Sequence, residues 1–209
     1  MLEALTYQEM LKHIKGNVER HGIINDTIGI LITRPNLHTG KSILDSLEYF
    51  HFRTGNAINF YLPGYGAYWN DSYPDGKIVT EINGVKWSFS NEMFTEFVCN
   101  LEIYSKWKYM GESELLLVDL KDGILSFDRM MQFHLDNMFR DNVIYSVHQF
   151  FEQLFRVCRD KETLSRVSNT FCFNKAKQIT IGRILDKLPA GLGDILVQEK
   201  YFCVRNMEV

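Results

Sequence analysis

Residues 28–62 constrain the fold most. Ile28, Ile30, Leu31 and Ile32 form a short apolar run that stops at Arg34-Pro35, because proline has no N–H to donate and its φ is fixed. Ile43, Leu44, Leu47 and Phe50 then recur at helical spacing, and Gly55-Asn56 supplies residues that leave a helix easily. A second apolar run covers 57–62. A strand, a crossover helix and a strand in so few residues predict a right-handed parallel βαβ unit. Ligands of such sheets sit beyond the carboxyl ends of the strands, which places candidate loops at 34–42 and 63–72.

Around that unit the chain reads in order. Thr6-x-x-Glu9 predicts a capped helix with Tyr7, Met10, Leu11, Ile14 and Val18 on one stripe and Gly22 at its end. Ile78, Thr80 and Ile82 alternate up to Asn83-Gly84, and Val85, Trp87 and Phe89 alternate after it, the pattern of a two-residue hairpin. Ser90 or Asn91 is expected to cap a helix carrying Phe94, Phe97, Val98, Leu101, Tyr104 and Trp107, ending at Gly111. Leu115 to Val118 is apolar on both faces, as in a central strand, and Asp122-Gly123 turns it into a second hairpin reaching Phe127. A helix is expected after Asp128 with Met131, Leu135, Met138 and Phe139. Another is expected over 142–158, capped by Asp141. Further helices are expected at 162–168 and 175–188, with a short strand at 201–204.

The expected fold class is therefore α/β: a mixed sheet of about five strands flanked by helices. The expected division is an α/β domain over 1–157, with an inserted hairpin at 77–89, and a helical C-terminal segment over 158–209. The order β-α-β-α-β-β-α over about 25–157 resembles the thioredoxin-like fold. Where that family carries its redox pair, this chain has Leu37-His38-Thr39-Gly40, and where it carries a proline before the third strand, this chain has Gly111 to Glu114. Redox activity does not follow from the resemblance.

Composition narrows the function. The chain of 209 residues is 45% hydrophobic and 13% aromatic, with net charge −3, which is the profile of a folded globular chain. Lysines and arginines are scattered and outnumbered by acids, so no DNA-binding footprint is expected. Cys99, Cys158, Cys172 and Cys203 show no C-x-x-C spacing, which predicts neither metal site nor disulfide. No apolar stretch approaches the ~18–20 residues of a membrane span, and the first residues lack a leader pattern. A cytoplasmic location is expected.

Three constellations could carry function. Pro35-Asn36-Leu37-His38-Thr39-Gly40-Lys41-Ser42 resembles the Walker A loop of P-loop nucleotide-binding proteins. Leu115 to Val118 followed by Asp119 resembles their Walker B strand. The resemblance implies that Gly40 and Lys41 would meet phosphate while Ser42 and Asp119 would hold magnesium, although Pro35 stands where the first glycine belongs. The loop Pro63 to Asp71 offers Tyr65, Tyr68, Trp69 and Asp71 as a stacking and hydrogen-bonding surface for a base or nucleoside. Glu48, His51 and Arg53 share a helix. His134 with Asp136 does not suggest a triad, and no serine lies in G-x-S-x-G. The favoured expectation is a non-catalytic interaction or ligand-sensing module that acts through a protein partner or a second copy, with small-molecule binding in reach. The second is a P-loop-like nucleotide-binding enzyme, and the third a nucleoside-recognising protein. The sequence names no cofactor.

Overall fold

The computed structural model describes residues 1–22, 26–54, 58–68, 73–159 and 200–209. Its main sheet has six strands, ordered β1-β3-β2-β7-β8-β9. The strands are β1 (Leu2–Ala4), β2 (Asp26–Ile32), β3 (Asn59–Pro63), β7 (Glu114–Lys121), β8 (Ile124–His134) and β9 (Phe202–Arg205). β4 (Tyr65–Ala67), β5 (Lys77–Ile82) and β6 (Val85–Phe89) form a second sheet in the order β4-β6-β5. The helices are α1 (Tyr7–His21), α2 (His38–Asp45), α3 (Leu47–Thr54), α4 (Asn91–Tyr104), α5 (Leu135–Arg140) and α6 (Val147–Arg159).

β2 and β3 pair in parallel, with Ile28 opposite Asn59 and Ile30 opposite Tyr61, as the short crossover requires. The crossover is two helices, since the chain steps at Ser46 between α2 and α3. β7 lies antiparallel between β2 and β8, with Leu115 to Val118 all buried. The four strands of the thioredoxin-like order lie side by side as β3-β2-β7-β8.

Side chains alternate across this sheet, so each face has its own cover. Phe60 and Phe133 meet Phe151, Phe155 and Phe150 of α6. On the other face, Tyr61 meets His13 of α1 and Glu114 meets Trp107. Gly29 sits opposite Phe60, and a Cβ there would lie 2.4 Å from the Phe60 ring. The absent side chain lets that ring lie flat on β2 beneath α6.

Several boundaries differ from the sequence expectation. The segment after Asp128 continues as strand to His134, and α5 begins only at Leu135. Met131, Leu135 and Met138 do have helical spacing, but Met130 to Phe133 pair on both sides, with β7 and with β9. A register shift between Val118 and Asp119 loops Phe127 to Arg129 out of the ladder, hiding the strand's period of two. α4 stops at Tyr104, so Trp107 belongs to the following loop. α6 starts at Val147, where Ser146 rather than Asp141 accepts the cap bond from the Gln149 N–H. The hairpin at 77–89 is no isolated protrusion, because β4 extends it into a sheet. The anticipated helices at 162–168 and 175–188, and most of the segment from 158, lie outside the described residues.

Thr6 caps α1 and Ser90 caps α4, each accepting from the N–H three residues on. Among the described residues no helix is long and apolar enough to cross a membrane.

A candidate anion site at the end of the sheet

Because β7 runs against β2, the last residue of β2 faces the first of β7. Ile32 pairs with Glu114, and Glu114 with His134 at the end of β8. The loop after β2 and the loop before β7 therefore meet on one rim. Thr33 and Ser113 join hydroxyls there at 2.8 Å, both buried. The Ser113 N–H donates to Asp136 at 2.7 Å, and the Tyr65 hydroxyl donates to the Thr33 carbonyl at 3.2 Å.

Arg34 leaves this rim toward α4. Its guanidinium carbon lies 4.7 Å from the Phe94 ring centroid and 5.6 Å from that of Tyr109. Phe94 and Tyr109 are themselves edge to face at 5.6 Å, and Trp107 is next to Tyr109. A cation over aromatic faces gains from the ring quadrupoles. The aromatic contact does not use the guanidinium's N–H groups, and among the described residues Arg34 forms no ion pair.

Behind it stands Glu114, fully buried. Its Oε2 accepts from Trp107 Nε1 at 3.0 Å and from Gln132 Nε2 at 2.7 Å. His134 Nδ1 is 3.9 Å from Oε1, too far for a hydrogen bond. Burial lifts this carboxyl to about 7, against the Trp107 and Gln132 bonds and the nearby Met110 N–H, while Glu112 pushes it further up. Burial also pushes the Tyr109 hydroxyl up to about 12; Arg34 opposes this, whereas Glu114, Asp136 and Glu112 add to it.

Among the described residues, four buried side-chain nitrogen or oxygen atoms have no hydrogen-bond partner. Three of them, Arg34 Nε, Tyr109 Oη and Glu114 Oε1, belong to this rim. Each such atom costs about 1–3 kcal/mol if left unmet. Their concentration sets the rim apart from the rest of the described residues.

The residues expected from sequence to bind ligand are not brought together. Gly40 is buried where α2 presses on β2's end, and a Cβ would lie 2.1 Å from the Arg34 carbonyl. Lys41 is exposed, and the Ser42 hydroxyl bonds back to the His38 carbonyl at 3.4 Å. Asp119 pairs with Thr27 at the start of β2, where the Thr27 hydroxyl donates to it at 3.0 Å. Thr27 to Thr33 spans about 20 Å of strand, so Asp119 and the Lys41–Ser42 turn occupy opposite ends of the sheet. Antiparallel β7 is the reason, since a Walker B carboxylate needs a strand running with β2.

Tyr65 is fully buried and anchors Thr33, whereas Tyr68 is 87% exposed; Trp69 and Asp71 lie outside the described residues. Glu48 accepts from the Asn83 N–H, His51 meets the Met1 carbonyl, and Arg53 is bidentate on Glu152. That trio serves three separate contacts. The aromatic face of α6 is core: Phe150, Phe151, Leu154 and Phe155 are all buried. Among the described residues no group of His, Cys, Asp or Glu is placed to hold a metal.

Glu114 makes stability depend on pH. Folding weakens this acid, so its contribution is complete below the ordinary value near 4.5, fades as pH rises toward about 7, and is level above that. Glu114→Gln removes the slope. Urea melts from pH 4.5 to 8 are expected to show the variant gaining on wild type by about 2–3 kcal/mol as pH rises. A constant difference would mean that the carboxyl titrates as it does in the unfolded chain.

Sequence reading missed Arg34, Tyr109 and Glu114. The available signal was a charge at each edge of an apolar strand, Arg34 after Ile32 and Glu114 before Leu115, which antiparallel pairing turns into neighbours. Comparison of the chain with protein-family models, curated proteins and solved structures finds no match.

Proposed function

We propose that this chain is a non-catalytic ligand-sensing module that works in the cytoplasm through a protein partner, and that the ligand engages the rim around Arg34. One observation supports the reading most: a guanidinium set against the Phe94 and Tyr109 rings, with a buried Nε that meets no acceptor. Proteins rarely leave such a group unmet. The loop at 105–113 supplies a means of response. Trp107 ties it to Glu114, the Ser105 hydroxyl ties it to α4, and the Lys106 N–H donates to the Met207 carbonyl near the C-terminus. A molecule that pulls on Tyr109 therefore acts on β7, α4 and the segment after β9 together.

The test uses hydrogen exchange. A cell-extract fraction restricted to small molecules is expected to slow amide exchange over 105–114 in wild type and to leave Arg34→Gln unchanged. Equal protection in both proteins, or none in either, would remove the rim from the account.

A further inference from the structure

Resting on that reading, we infer that the ligand is a small monocarboxylate with an apolar body, held by the Arg34 guanidinium and the Tyr109 hydroxyl. Three features select this class. First, a guanidinium whose Cζ lies 4.7 Å from the Phe94 centroid and 5.6 Å from that of Tyr109 does not spend its N–H groups on those rings, and those groups match the two oxygens of a carboxylate. Arg34 is only partly buried, so part of the side chain faces solvent, while its Nε is covered. The Tyr109 hydroxyl, buried beside it without a partner and kept protonated by its surroundings, is available as a donor to the same anion.

Second, the charge balance favours a single negative charge over two. Glu112, Glu114 and Asp136 all act on Tyr109, and Arg34 is the cation that acts there with them. A phosphate dianion would meet Glu112, Glu114 and Asp136 against two guanidiniums, Arg34 and Arg140, the latter already paired with Glu112 at 3.8 Å. A carboxylate needs only the one partner it finds. Third, apolar surface lies beside these polar groups. Met110, adjacent to Tyr109, is 70% exposed, and with the partly exposed Tyr109 ring it provides surface for a short hydrocarbon or aryl group, the kind of lining that small-molecule sites combine with a few polar anchors.

Melting temperatures of the full chain with defined probes test this. Phenylacetate or hexanoate at about ten times its Kd is expected to raise the midpoint by a few degrees. Acetate, lacking the apolar body, and phenyl phosphate, carrying more charge, are expected to do less at equal concentration. Arg34→Lys keeps the positive charge but loses the planar, two-pronged edge, and is expected to bind about tenfold more weakly. Tyr109→Phe removes only the hydroxyl and is expected to bind about threefold more weakly or worse.

A larger shift from phenyl phosphate than from phenylacetate overturns the ligand class while leaving the rim as the site. So does protection by the small-molecule fraction that requires Arg34 when no carboxylate gives a shift. Carboxylate shifts that are unchanged in both Arg34→Lys and Tyr109→Phe overturn the assignment of these two residues. If neither the fraction nor any probe acts through Arg34, both readings fail.

Discussion

Phe151→Ala is expected to destabilise the chain by about 3–5 kcal/mol, the usual cost of removing a fully buried aromatic ring whose space cannot close. Phe151 has no exposed surface, and its ring lies 4.8 Å from Phe50, 5.5 Å from Phe150, 5.7 Å from Phe155 and 5.9 Å from Phe60. These rings join α6 to α3 and to β3, so the loss spreads through the contact between helix and sheet. Gly29 adds to it, since β2 gives up a side chain to accommodate the Phe60 ring. The check is the urea midpoint of wild type and variant at unchanged slope. A loss below about 1 kcal/mol would mean that α6 is not docked on the sheet as described.

Gly64→Ala is expected to cost about 2–5 kcal/mol and to damage the site as well. Gly64 joins β3 to β4 at φ +75°, where an alanine pays about 1–2 kcal/mol in backbone strain. A Cβ there would also lie 2.7–2.9 Å from Phe94's Cβ, Cα and N. Relieving that overlap moves the first turn of α4, adding about 1–3 kcal/mol. The Gly64 carbonyl accepts from the Ser90 N–H, so the α4 cap is disturbed too. Because Phe94 lies against Arg34, the variant is expected to lose affinity for phenylacetate even at temperatures where it is folded. Full stability with unaltered binding would show that α4 does not rest on this glycine.

Much of the scaffold was legible because its signals are local. Ile28 to Ile32, Asn83-Gly84, Thr6 and Ser90 each determine their own neighbourhood through apolar runs, turn chemistry and caps, and the parallel pairing of β2 with β3 follows from the short crossover between them. Other features depended on partners distant in sequence. β1 has only three residues and shows no alternation of its own, since its pairing with Tyr61, Leu62 and Pro63 is what makes it a strand. Met131, Leu135 and Met138 mimic a helix because a bulge breaks the strand's period just before them. The site was hidden for the same reason. Arg34 and Glu114 are eighty residues apart, and their proximity follows from β7 running against β2. That same orientation separates the two Walker-like segments, carrying Asp119 away from Lys41.

The most direct measurement follows the Nε–H resonance of Arg34 by proton–nitrogen NMR, assigned by its loss in Arg34→Lys, during titration with phenylacetate. A guanidinium that takes up a carboxylate in a two-pronged contact is expected to move this signal downfield, saturating with the same Kd as the melting shifts and reduced in Tyr109→Phe. A resonance that stays in place while the ligand saturates the protein would contradict the account, because the carboxylate would then be bound somewhere other than Arg34.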